Sequence, residues 1–183
     1  PVGAQSIRSD TLRSAIDRQV PYRRTLDALE NASKEAAILR RAWRYPEAST
    51  LLGDALGDAE RTLDPAHPLI NRLRRELAWT AEVVEAIDSP VVLSADRLAR
   101  FAGEYGRTRI RVDDGVLIAS NDDLEADQVL LPIDEHTFQS RLYEWVRVRF
   151  VVDDDDRPVA VIGYFLDGGR QEFPRTGPSD ASG

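Results

Sequence analysis

Trp145, Arg147 and Arg149 alternate along a stretch whose intervening residues, Val146, Val148 and Phe150, are apolar. Side chains two apart in a strand share a face, so this spacing gathers an indole and two guanidinium groups on one side and a core-facing set on the other. Arg107, Arg109 and Arg111 alternate in the same way against Thr108, Ile110 and Val112. Guanidinium forks grip carboxylates with two parallel hydrogen bonds. A face uniting Trp145, Arg147, Arg149, Arg109 and Arg111 would therefore hold a carboxylate such as a peptide terminus, provided the two strands lie side by side. The competing expectation is that these arginines pair with the chain's surplus aspartates and glutamates on a solvated face.

No other pattern supplies a reaction centre. Lys34 is the only lysine, and Asn31 stands three residues before it, so there is no Ser-x-x-Lys dyad; a Gly-x-Ser-x-Gly elbow is also missing. His67 and His136 fall in a turn and at a strand edge, with nothing to mark either as catalytic. The run Asp153 to Asp156 reads as a solvated hairpin turn rather than a calcium site, because consecutive side chains on a short loop cannot all converge. Asp123, Glu125 and Asp127 have the alternate spacing of calcium ligands, but Gln128 stands where such a loop needs glycine. No cofactor and no metal are expected. Tyr105, Phe138, Tyr143, Tyr164 and Phe165 either line the mouth of a small barrel or pack its core, and core packing is the default.

Composition narrows the partners. The 183 residues carry 24 basic against 32 acidic side chains, a net charge of −8, so a nucleic-acid backbone would be repelled. No apolar run approaches the roughly 20 residues that span a bilayer. With no cysteine, disulfides and thiolate chemistry are excluded and the redox compartment stays open. The dominance of arginine over lysine suggests a GC-rich bacterial source. There is no methionine, even at position 1, which suggests a segment of a longer polypeptide.

Two halves must position these residues. From Asp10 to about Ile87, within a helical region at 1–93, the apolar residues recur three and four apart, as in helices with one buried face. Leu12, Ala15 and Ile16 open a short stretch that Pro21 should interrupt, since proline has no amide proton. Leu26, Leu29, Ala36, Leu39 and Trp43 mark a longer helix ending near Tyr45-Pro46. Leu51, Leu52, Ala55, Leu56 and Ala59 mark the next, and Leu69, Leu73, Leu77, Ala81 and Val84 the last. After a short helix at Ala95 to Arg100 the period changes to two. Strands are expected around Arg107 to Val112, Val116 to Ala119, Gln128 to Ile133, Thr137 to Arg141, Glu144 to Val152, Val159 to Leu166 and Arg170 to Phe173. Asp113-Asp114-Gly115 supplies the first hairpin turn. The fold class is α+β, with helical hairpins packed on a small antiparallel meander or barrel at 94–175 and a disordered tail at 176–183.

Two resemblances follow. Trp43-Arg44-Tyr45-Pro46-Glu47-Ala48, with Leu51-Leu52 and Ala55-Leu56 after it and the Asp64-Pro65-Ala66-His67-Pro68 turn, resembles one and a half tetratricopeptide repeats. Leu98-Ala99-Arg100-Phe101-Ala102-Gly103-Glu104-Tyr105-Gly106 precedes Asp114-Gly115-Val116-Leu117 and Leu131-Pro132-Ile133-Asp134-Glu135-His136-Thr137-Phe138. Val148-Arg149-Phe150 and Phe173-Pro174-Arg175 complete the order. It resembles the C-terminal accessory β domain of serine hydrolases, both C-terminal-processing (tail-specific) peptidases and β-lactamase-like enzymes. The resemblance implies a non-catalytic accessory region that positions a substrate or protein partner, including a catalytic core lying outside this chain. The alternative is a stand-alone peptide- or small-ligand-binding protein with a lipocalin-like β domain.

Overall fold

The computed structural model describes residues 3–122 and 126–177, with side chains from Tyr22 onward. It is an α+β structure of four helices and a closed eight-stranded antiparallel barrel. Helices α1 (Gly3–Arg41), α2 (Tyr45–Thr62) and α3 (Pro68–Asp88) pack in chain order, and the short α4 (Ala95–Phe101) leads into the barrel. Pro21 does not interrupt the first helix: α1 runs through it, one amide donor short. The side chains of Leu12, Ala15 and Ile16 lie outside the described residues.

Small residues let the helices approach. Ala36, Ala48, Leu52, Ala55, Ala59, Ile70 and Leu73 form their buried core. The turn between α1 and α2 is tight, with Trp43 in the left-handed region at φ 59°. The Arg44 amide donates back to the Leu39 carbonyl at 2.9 Å, closing the helix end. A non-glycine residue there costs on the order of 1 kcal/mol. Trp43 is held by donating from Nε1 to the Arg141 carbonyl at 3.3 Å and by its ring contact with Tyr45. Helix α3 begins at Pro68, where a missing N–H is harmless, and the preceding His67 accepts the Leu69 amide on Nδ1 at 3.2 Å. His67 is thus a helix cap.

The strands are β1 (Gly103–Tyr105), β2 (Thr108–Asp113), β3 (Val116–Asn121), β4 (Gln128–Pro132), β5 (Thr137–Ser140), β6 (Val146–Val152), β7 (Pro158–Phe165) and β8 (Arg170–Gly177). Each pairs with the next, and β1 pairs with β8 to close the ring. Asp114 and Gly115, both with positive φ, make the turn between β2 and β3. The last strand continues through Thr176 and Gly177, which the sequence reading assigns to the tail, because Gly177 must stand opposite Glu104 for closure. Residues 178–183 lie outside the described residues.

The barrel is filled. Phe101 of α4 inserts at one end and stacks on Phe150 at 4.3 Å, with Phe138 edge-on at 5.6 Å. Tyr105 donates its hydroxyl to the Phe101 carbonyl at 2.9 Å, tying the plug to the wall. Ile110, Leu117, Ala119, Leu130 and Val161 complete this core. Away from the aromatics the interior turns polar, and Ser140 donates to Gln128 Oε1 at 2.8 Å.

Candidate binding groove

The five residues singled out from the sequence are not brought together. Around the closed ring β2 and β6 are four strands apart in either direction, so Arg109 and Arg111 cannot share a face with Arg147 and Arg149. Arg109 donates to Glu104 at 3.0 Å and Arg111 to Asp127 at 2.8 Å, both as exposed pairs. Arg149 is exposed on the outer wall, opposite Thr137 on one side and Ile162 on the other.

Arg147 has a different part from the one its strand position suggests. It faces out of the barrel but is only 5% exposed, because α3 covers it. Its guanidinium donates to the Glu82 carboxylate, to the Trp79 carbonyl and, through Nε, to Gln139 Oε1 at 3.2 Å. It also lies over the Trp79 ring at 4.0 Å. Burial pushes its pKa down and Glu82 opposes this. Trp79 Nε1 donates to the Glu144 carbonyl at 3.0 Å, and Arg41 pairs with the Glu144 carboxylate at 2.8 Å. One arginine therefore joins the wall of the barrel to α3, while the turn before β6 receives α1 and α3 together.

Trp145 lies in that turn rather than in the strand, and it opens a groove of about 440 Å³. Trp145, 42% exposed, stacks on Phe165 at 5.9 Å and 30°. Leu166 extends this apolar floor, Arg72, Arg75 and Glu76 of α3 form one rim, and Asp167 lies on the other. The Leu166 amide donates to the Trp145 carbonyl at 3.1 Å, tying the two floor residues together. An aromatic floor with cationic and anionic rims suits an extended peptide, whose side chains need apolar area and whose ends and polar groups need charge.

The aromatic set divides. Tyr105 and Phe138 are core, whereas Tyr143 contacts Trp145 at 5.5 Å, Trp145 in turn stacks on Phe165, and Tyr164 stands opposite Arg147 of β6. His136 is occupied by Arg97 and Asp156, and Asp156 also pairs with Arg97 and Arg100. Asp153 accepts the amides of Asp155 and Arg157, the arrangement of an ordinary acidic turn. Asp123 and Glu125 lie outside the described residues.

Sequence reasoning missed Arg72, Glu76 and Arg40, although a signal exists. In α1 the positions 29, 33, 36 and 40 follow heptad spacing, and all four residues, Leu29, Ser33, Ala36 and Arg40, are buried. In α3 the same spacing runs Leu69, Leu73, Glu76, Thr80 and Val83, again all buried. The expected stripe through Leu77, Ala81 and Val84 is displaced in its second half, and Ala81 is exposed. The reason is that this part of α3 faces Arg147 and the barrel, not another helix.

Comparisons with protein-family models, with curated proteins and with solved structures return no match.

Proposed function

We propose that this chain is a non-catalytic binding module: the C-terminal accessory region of a serine peptidase or related serine hydrolase, holding a peptide substrate or partner beside a catalytic core on other residues. The observation that carries this reading is the groove of Trp145 and Phe165, built where Arg147 locks the helices to the barrel. A ligand aligned there would be held relative to both halves at once, which is what positioning for chemistry elsewhere requires. The tetratricopeptide-like segment belongs to the proposal, supported by the alanines Ala36, Ala48, Ala55 and Ala59 in the core between helices. The rival placement, a ligand inside a lipocalin-like cup, is disfavoured by the packing of Phe101, Phe138 and Phe150 within the barrel.

Two experiments test it. Titration of the chain with acetylated peptides of apolar and aromatic residues, followed by calorimetry, should show binding that Trp145→Ala weakens by about tenfold, the loss of a buried aromatic anchor. Equal affinity for both proteins overturns the groove. The coding sequence upstream of Pro1 should encode a serine hydrolase core; an initiator codon directly before Pro1 would favour the stand-alone binding protein.

A further inference from the structure

Among the described residues, five buried polar side-chain atoms have no hydrogen-bond partner: Arg40 Nε and Nη1, Arg72 Nε, Tyr45 OH and Glu76 Oε2. They belong to one locality. Arg40 and Arg72 each approach Glu76 at 3.8 Å, too far for a hydrogen bond, and Tyr45 interacts electrostatically with Arg40. Ser33 satisfies the other Glu76 oxygen at 2.9 Å.

The imbalance has a sign. A guanidinium Nε carries one hydrogen and an Nη two, so the two arginines present four N–H bonds here; Arg72 faces Glu76 Oε1, which already accepts from Ser33, and Arg40 faces Oε2, so the carboxylate has about three sites left. Closing both gaps onto Glu76 would still leave one Arg40 N–H over, with only the Tyr45 hydroxyl, itself without a partner, as a further acceptor among these groups. A buried donor without an acceptor costs about 1–3 kcal/mol, more when it is charged. Arg40 is only 2% exposed, and it lines a cavity of about 250 Å³ between α1 and α3 together with Ser33, Lys34, Arg72 and Glu76. With Glu30, also on this cavity, three basic groups face two acidic ones, a local excess of positive charge on a chain whose net charge is −8. Arg72 and Glu76 belong also to the rim of the Trp145 groove, so the two spaces adjoin.

We propose that this pocket binds a carboxylate, carried by the same peptide whose apolar part lies on Trp145 and Phe165. The carboxylate supplies acceptors to Arg40 and Arg72, whose unpartnered nitrogens are covered in this structure and must turn towards the cavity to meet it. Glu76, within 4 Å of both, sets the local charge to suit a singly charged group rather than a phosphate dianion. The identity of the peptide ligand rests on the groove reading; the chemistry of the pocket does not.

Calorimetry on the full chain tests this with an acetylated tetrapeptide of alanine, phenylalanine and leucine. The peptide is prepared as the free acid, as the carboxamide, and as a carboxamide with one internal glutamate. One of the carboxylate forms should bind about tenfold tighter than the plain carboxamide, and which one it is distinguishes a chain terminus from an acidic side chain. Arg40→Met should abolish that gain while leaving carboxamide binding unchanged, and Glu76→Gln should enlarge it. If Arg40→Met does not fold, the enlargement by Glu76→Gln stands as the test. Equal affinity for all three peptides overturns the carboxylate pocket and leaves the groove intact. If no peptide binds, the groove reading fails, and acetate then decides the pocket by itself. Shifts of the Arg40 and Arg72 guanidinium resonances on adding acetate support it, whereas unmoved resonances, or tighter binding of inorganic phosphate than of acetate, overturn it.

Discussion

The inside of the barrel and its junction with the helices bury side chains by opposite means. In the barrel, Phe101, Phe138 and Phe150 meet at ring distances of 4.3 to 5.6 Å, and the one phenol among them, Tyr105, has its acceptor. At the junction the buried groups include Arg40, Glu76, Glu144 and Arg147, and Tyr45 has a hydroxyl without a partner. Apolar packing is nondirectional and adds up, so the barrel core contributes stability through the area it buries. Charged contacts bring little net stability after desolvation but tolerate only one geometry, so the junction sets how α3 sits on β6. The molecule thus separates what keeps it folded from what aligns its groove.

The largest way to break this contrast is in the barrel. Phe150→Ala should destabilise the chain by about 3–5 kcal/mol in urea unfolding, since the hole lies among three aromatic rings. A loss below about 1 kcal/mol would mean the core is loose. At the junction Arg147→Ala should cost about 2–3 kcal/mol, because Gln139 and the Trp79 carbonyl lose a charged donor. Peptide affinity should fall with it as Trp145 and α3 lose their common support.

The two tyrosines sharpen the comparison. Tyr105→Phe should cost about 1 kcal/mol for its hydrogen bond, while Tyr45→Phe should be neutral or stabilising, since it removes a buried hydroxyl with no partner. Burial pushes both phenols up to about 12, opposed at Tyr45 by Arg40 and at Tyr105 by Arg175. A folded pKa above the ordinary value of 10 means the folded state keeps its proton longer. The resulting stability is complete below about pH 10 and is lost as pH climbs towards 12. Each single Phe variant should flatten part of that alkaline decline; a decline unchanged in both would show that other groups drive it. The smallest effect belongs to the outer wall: Arg109→Ala and Arg111→Ala should each shift stability by less than about 0.5 kcal/mol, as their pairs with Glu104 and Asp127 are exposed.

Much of the fold could be read in advance from period and turn chemistry. The helices around Ala48, Leu52 and Leu73 and the strands around Ile110, Leu117, Phe138 and Phe150 follow from apolar spacing. The three-residue strand β1 was not legible because it is too short to show a period, and Gly103 carries no side chain to mark a face. The candidate site was legible only in part. Trp145 stood out by its alternation with apolar residues, but its partners Phe165, Arg72 and Glu76 come from a different strand and from a helix. Arg40 and Ser33 sit at heptad positions that a search for apolar residues passes over.

Residue order alone was enough for the succession of helices followed by antiparallel strands, because backbone geometry ties side-chain direction to the nearest few neighbours. Closure of the ring was not local in this sense. Pairing β1 with β8 placed β2 and β6 on opposite sides, so two arginine rows of identical spacing came to differ at one position: Arg109, Arg111 and Arg149 stay on the outer wall, while Arg147 is sealed beneath α3. What an arginine does depends on what covers it, and that cover arrives from 65 residues away in the chain, as Glu82 does for Arg147.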